Sequence, residues 1–293
     1  MMIPFIPVLK CIIPVETSVI GVQYACSALS SLLKSKEETI VDVMLNADIV
    51  STLLEKLQDS RVKVVWIVLN LLIDISDSCN CKQVLLLQLV LQPLLSIIQK
   101  ISSPCGNEKS AILAIECFGS ISKLGAGPVA MVMRTIPTLY GTLVGLIREG
   151  LEAMKRPRAR EDPLLISAAS ALMRAVNSAA DGYDLLYFIE LGCYPLAFAI
   201  LRAFTDDERV QEVVSALSNM ITNLPNIDLL QEEIVEMDRF DAPAGWAVVR
   251  GLTGKYTEPS STHTYSILQL QNSINAQRLL RSAIQLGLAE EKG

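Results

Sequence analysis

Trp66 and Asn70 stand four residues apart, with Asp74 four further on. On a helix that spacing sets all three side chains on one face. Their types fit one chemistry. An indole face attracts cations, a carboxamide both donates and accepts, and a carboxylate meets a cationic head group. Such a stripe suits an extended peptide that carries Lys or Arg. The same letters also suit a core tryptophan and an incidental asparagine in an apolar helix.

Other chemistry-bearing residues are few. His263 is the one histidine and lies in a Thr/Ser-rich stretch. No second His and no paired cysteine spacing completes a metal site around it. Cys79-Asn80-Cys81 is too tight for a zinc pair and reads as a turn between helices. Gly125-Ala126-Gly127-Pro128 lacks the preceding strand and further glycines of a phosphate loop, so it reads as a helix C-cap. No Ser/His/Asp or Cys/His spacing favours nucleophilic catalysis. The expectation is a non-enzymatic protein with no cofactor, no metal and no small-molecule substrate.

The elements that carry these residues repeat. Residues 185–223 read as a short helix ending at Gly192, a second from Tyr194 to Phe204, an acidic turn and a longer third helix. In the turn, Thr205 is placed to cap and Glu208 sits three residues on. Val210, Val213, Val214, Leu217 and Ile221 then recur at three- and four-residue steps. A three-helix unit of about 40 residues is the length of a helical repeat. Last helices matched by pattern align Ser31, Asn70, Ser120, Arg174, Asn219 and Asn272, at spacings of 39, 50, 54, 45 and 53 residues. The expected repeats are 1–36 (partial), 37–80, 81–126, 127–180, 181–226, 227–275 and 276–293 (partial). Capping side chains are expected at Asn46-Ala47-Asp48 and Asp59-Ser60. A turn is expected at residues 102–110, and the pattern reads as starting and stopping inside a repeat.

The run LGCYPLAFAIL, an acidic turn and VQEVVSALSNM resemble an armadillo repeat, and within that family the repeats of importin-α, the adaptor that binds nuclear localisation signals. The resemblance implies that Trp66 and Asn70 contact cargo, the Trp on a Lys or Arg stem and the Asn on the peptide backbone. Asp74 would then meet a cationic head group. Asn219 and Asn223 would hold backbone in the fifth repeat, with Glu116 an acidic partner in the third. Each of these three also reads as a solvated groove residue. The Trp-equivalent positions elsewhere are Ser27, Glu116, Ser170, Ser215 and Leu268, so the tryptophan array of two cargo pockets is absent. No basic segment for importin-β precedes Met1, so complete adaptor activity is not expected. Residues 155–160 carry four basic side chains in six, and read as a solvated insertion, a localisation signal or a pseudo-substrate.

Composition agrees with a repeat protein. Of 293 residues, 51% are hydrophobic and 5% aromatic, and mean hydropathy is +0.40. Helices packed on both sides by neighbours leave little polar surface. The most apolar run, residues 84–98, is broken by Gln88, Gln92 and Pro93 and is shorter than the roughly 20 residues that span a bilayer. The first residues lack a basic leader and a small-residue cleavage site. Cys26, Cys117 and Cys193 fall in apolar patterns and read as reduced core thiols of an intracellular protein. The net charge of −6 argues against bulk nucleic-acid binding and permits a basic protein partner. The expected fold is all-α: an armadillo/HEAT-like right-handed α-solenoid of about six three-helix repeats, ragged at both ends. The expected function is binding of basic, nuclear-localisation-type segments in a concave groove, in cytoplasm or nucleus, without membrane or direct nucleic-acid contact. The alternative is a generic armadillo or HEAT scaffold for cytoskeletal or signalling partners, with no preference for basic peptides.

Overall fold

The computed structural model describes residues 5–15, 18–34, 38–80, 83, 87–102, 106–155, 162–179, 182–204, 207–223, 249–250 and 267–285. Among the described residues every regular element is helical. The chain divides into two compact bodies, Met1–Thr142 and Leu143–Gly293.

The N-terminal body holds α1 (Phe5–Val15), α2 (Val19–Leu33), α3 (Glu38–Asn46), α4 (Ile49–Leu57), α5 (Val62–Ser78), α6 (Gln88–Gln99), α7 (Glu108–Ser122) and α8 (Ala126–Thr135). Helix α9 (Thr138–Met154) begins in this body and ends in the next. The longer helices form one row, with α5 packed between α2 and α7. Their buried residues keep the helical step. On α5 these are Val64, Val68, Leu72 and Ile75, and on α7 Ala111, Ala114, Phe118 and Ile121. Both neighbours of α5 are helices, so apolar residues also cover flanks that a surface helix would keep polar. That is how the hydropathy rises.

The C-terminal body holds α10 (Pro163–Ser178), α11 (Gly182–Glu190), α12 (Cys193–Ala203), α13 (Asp207–Asn223) and α14 (Ile267–Gln285). Here α13 packs between α10 and α14, and α12 lies against α11 and α13. Helix α14 runs unbroken through the repeat boundary expected between residues 275 and 276. Most of the expected sixth repeat, Thr205, the Glu208 side chain, the Asn272 side chain, His263, Trp246 and residues 156–160 lie outside the described residues.

Side-chain hydrogen bonds between helices show the period directly. Ser30 donates to Asp74 at 2.5 Å, Gln83 to Asp42 at 2.6 Å, Ser170 to Glu212 at 2.5 Å and Asn219 to the Val176 carbonyl at 2.7 Å. Among the described residues, separations across such bonds run from 38 residues (Arg174 to Glu212) to 47 (Gln88 to Thr135), apart from the Ser122 and Tyr140 hydroxyls of α7 and α9, which meet across 18.

The register differs from the sequence reading by one helical turn. From first residue to first residue, α2 to α5 is 43 residues and α5 to α7 is 46, against the expected 39 and 50. A four-residue slip leaves the same side chains on the same face, so hydrophobic periodicity cannot detect it.

Local chemistry sets the helix ends. Ser18, Asn107 and Asp162 cap α2, α7 and α10 by accepting from Gly21, Ser110 and Leu164 amides at 2.9, 3.0 and 2.9 Å. The expected caps at Asp48 and Asp59 work otherwise. Asp48 turns the chain with a left-handed backbone, φ 56°, and its carboxylate accepts from the Ser51 hydroxyl. Asp59 accepts from the Arg61 amide and from its guanidinium at 2.9 and 2.6 Å, and these bonds hold its carboxyl well below the usual carboxylate range. Gly125 directly precedes α8 with φ 123°, a conformation open to glycine, so this segment starts a helix instead of capping one.

Cys79 closes α5, and Asn80 and Gln83 then bond reciprocally at 2.9 and 3.0 Å. Cys26, Cys117 and Cys193 are buried free thiols, and burial pushes each up to about 12. Among the described residues no single helix is long and apolar enough to cross a membrane.

Candidate peptide-binding faces

In the N-terminal body the row α2, α5, α7 presents Ser27, Ser31, Asn70 and Glu116 to solvent. Trp66 and Asp74 lie half-buried on the same stripe of α5. Helix α5 therefore brings Trp66, Asn70 and Asp74 together, as a four-residue step requires. Counted from the helix starts, Glu116 on α7 is level with Asn70, one turn below the Trp66 level that pattern matching gave it.

Each of the three side chains on α5 already has a partner within the chain. The Trp66 Nε1 donates to Asn107 Oδ1 at 3.1 Å and to Ser110 Oγ at 3.0 Å. Asn70 Nδ2 donates to the Trp66 carbonyl at 2.7 Å, one turn back on its own helix. Asp74 accepts from Ser30 on α2. Asp77, one turn along, pairs with Lys123 at the end of α7.

The Lys109 ammonium lies over the Trp66 ring, 4.3 Å from its centroid. The sequence reading missed Asn107, Lys109 and Ser110 because it took residues 102–110 as a turn. Asn107 is instead the N-cap of α7, and the next three residues form the first helical turn. The available signal was Asn followed by Glu and a Ser three residues on, a helix-start pattern.

In the C-terminal body α10, α13 and α14 enclose a polar trough of about 300 Å³. Ser218, Asn219 and Thr222 of α13 line it, with Asn177 of α10 and Asn275 and Arg278 of α14. Asn219 spends its amide inside the chain. Its Nδ2 lies 2.7 Å from both the Val176 and Ala179 carbonyls, so it closes the C-terminus of α10. Its Oδ1 accepts from Asn223 at 2.5 Å. Asn223 is exposed. Arg174 pairs with Glu212 at 2.6 Å, and Ser170 donates to the same carboxylate. Among the described residues lining the trough the charged group is the Arg278 guanidinium, in contrast to the Asp74 carboxylate of the α5 stripe. Among the described residues no three His, Cys, Asp or Glu side chains gather as a metal-holding group.

Neither a protein-family model nor a curated protein sequence matches the chain. Solved structures do. The designed armadillo repeat protein YIII(Dq)4CqI is similar over 94% of this chain and 99% of its own, with a TM-score of 0.68 and 16% identity. A second designed armadillo repeat protein, YIII(Dq.V1)4CPAF, solved in complex with peptide (KR)4, covers 94% and 98%, again at 0.68 and 16%. Computationally designed armadillo repeat proteins for modular peptide recognition give 0.67 and 16% over 94% and 99%. Identity this low carries the likeness in backbone alone, and on that measure the chain has the armadillo-like repeat fold.

Proposed function

We propose that the chain is a non-enzymatic peptide-binding protein of the nuclear-import adaptor type, which receives extended Lys/Arg-rich segments along the α2, α5, α7 face. The observation that carries the reading is Lys109 over the Trp66 ring. A cation already rests on the indole where a peptide side chain would. Asn70 beside it is exposed, and Asp74, Asp77 and Glu116 supply acid along the stripe. The solved designed protein bound to (KR)4 supports the same chemistry on a similar backbone. The partners are proteins with exposed basic segments, and the compartments are cytoplasm and nucleus.

The generic scaffold reading has one observation in its favour. The Trp66 N–H is fully taken by Asn107 and Ser110, as befits a residue that fastens α5 to α7. Titration of the chain into a fluorescently labelled Lys/Arg-rich extended peptide, followed by anisotropy at low and moderate salt, separates the two. Adaptor-type binding is saturable, weakens with salt and disappears in Trp66→Ala. Lys109→Ala vacates the ring face, and a cation–π contact of about 0.5–1 kcal/mol at an exposed site corresponds to roughly two- to five-fold tighter peptide binding. No binding to wild type or to Lys109→Ala, with Trp66→Ala merely lowering the melting temperature, leaves the scaffold reading.

A further inference from the structure

A second surface lies in the C-terminal body, away from the α10, α13, α14 row. Helices α9 and α12 flank a groove of about 830 Å³. Its floor is apolar: Leu151 and Met154 from α9, Pro195, Leu196 and Ala199 from α12. Of these, Leu196 is buried and the others are half-buried, so water reaches the floor. Its rim is basic. Among the described residues, Arg148, Lys155 and Arg202 line it with one acid, Glu152, which pairs with Lys155 at 2.5 Å. Basic side chains thus outnumber acidic ones among the described rim residues, on a chain whose overall charge is −6.

The backbone is shaped to keep Arg148 there. Its Nη2 donates to the Leu191 carbonyl at 3.3 Å. It passes over Gly192, whose φ is +77°, and a Cβ at that position would lie 2.7 Å from Nη2. Glycine suits the left-handed backbone here, and the guanidinium passes over the side that carries no Cβ.

From this we infer a docking site for an acidic amphipathic helix of a partner protein. A furrow between two helices accepts the ridge of a third. At about 1.5 Å per residue, the 11 residues of α12 run about 16 Å, room for three turns of a guest helix. Apolar guest residues at i, i+3 or i+4, and i+7 fill the floor, and flanking Glu or Asp meet the rim. The inference is independent of the Trp66 reading, because it concerns other helices and the opposite guest charge.

The test uses two labelled helical peptides with the same leucine stripe, one with Glu and one with Lys on the flanks, followed by fluorescence anisotropy on the full chain. The expected result is at least tenfold preference for the Leu/Glu peptide, lost at high salt. Arg148→Glu and Ala199→Glu should each weaken that peptide fivefold or more, and Arg148→Glu should strengthen the Leu/Lys peptide. Arg148 is exposed, so its variant is expected to fold, with circular dichroism as the check. Trp66→Ala should leave Leu/Glu binding intact, which separates failure here from failure of the basic-peptide reading. Equal binding of both peptides, indifference to both groove variants, or binding to anionic phospholipid vesicles without binding to the Leu/Glu peptide would overturn the proposal.

Discussion

The Asn107 carboxamide oxygen that caps α7 also accepts the Trp66 indole N–H, at 3.0 and 3.1 Å respectively. One atom therefore starts one helix and ties the preceding long helix to it. Trp66→Phe and Asn107→Ala should each cost about 1 kcal/mol, the scale of one hydrogen bond or one N-cap. The double variant should cost less than the sum, because the shared bond is lost only once. Urea unfolding of the four proteins measures this. Strict additivity would mean the two bonds are independent.

Asn219 and Asn223 look alike in sequence and differ in the structure. Asn219→Ala strips partners from the Val176 and Ala179 carbonyls at the end of α10. The expected loss is about 1–3 kcal/mol, the cost of leaving a buried polar group unsatisfied. Asn223 is exposed, and Asn223→Ala should leave the melting temperature nearly unchanged. Equal effects in thermal melts would contradict this assignment.

The Asp59 and Arg61 pair makes part of the stability depend on pH. In the unfolded chain Asp59 titrates near an ordinary value of about 3.9, and in the folded chain Arg61 holds it lower. A depressed carboxylate stabilises above its unfolded pKa, and that contribution fades as pH falls through the folded one. Asp59→Asn should therefore be less stable than wild type at pH 7. The gap should narrow below about pH 4. Melting both proteins across pH 7 to 3 reads the difference, and a constant gap would show that the charge is not the cause.

Tyr194 is fully buried against Phe198, with ring centroids 5.3 Å apart, and its hydroxyl has no hydrogen-bond partner among the described residues. Burial accordingly pushes its pKa up. Tyr194→Phe keeps the edge-to-face ring contact and removes a desolvated polar atom. It should raise stability by about 1 kcal/mol, seen as a higher urea midpoint at unchanged m-value.

The helices were legible wherever apolar residues kept a three- to four-residue step, as in residues 38–78. The breaks expected at residues 46–48 and 59–60 fall where α3 gives way to α4 and α4 to α5. The α5 stripe was legible for the same reason, since Trp66, Asn70 and Asp74 share one helix and one step. Their partners were not. Asn107, Lys109 and Ser110 come 41 to 44 residues after Trp66, and no pattern within one helix points to them. The level of Glu116 was misjudged because a four-residue slip is silent to helical periodicity. Asn219 was expected to hold a peptide backbone, but its amide faces the end of the preceding helix, which depends on how α10 stops.

Apart from the Ser122–Tyr140 pair, 18 residues apart, the side-chain bonds between helices among the described residues span 38 to 47 residues in a chain of 293. Each therefore closes a loop of similar, modest length, and closure entropy grows only with the logarithm of that length. Any adjacent pair of long helices is then a candidate nucleus, and order spreads from it neighbour by neighbour. Damage spreads in the same way. A substitution that loosens α5 weakens α2 and α7 first and reaches more distant helices only through them, so hydrogen exchange should show graded protection along the row in place of one global opening.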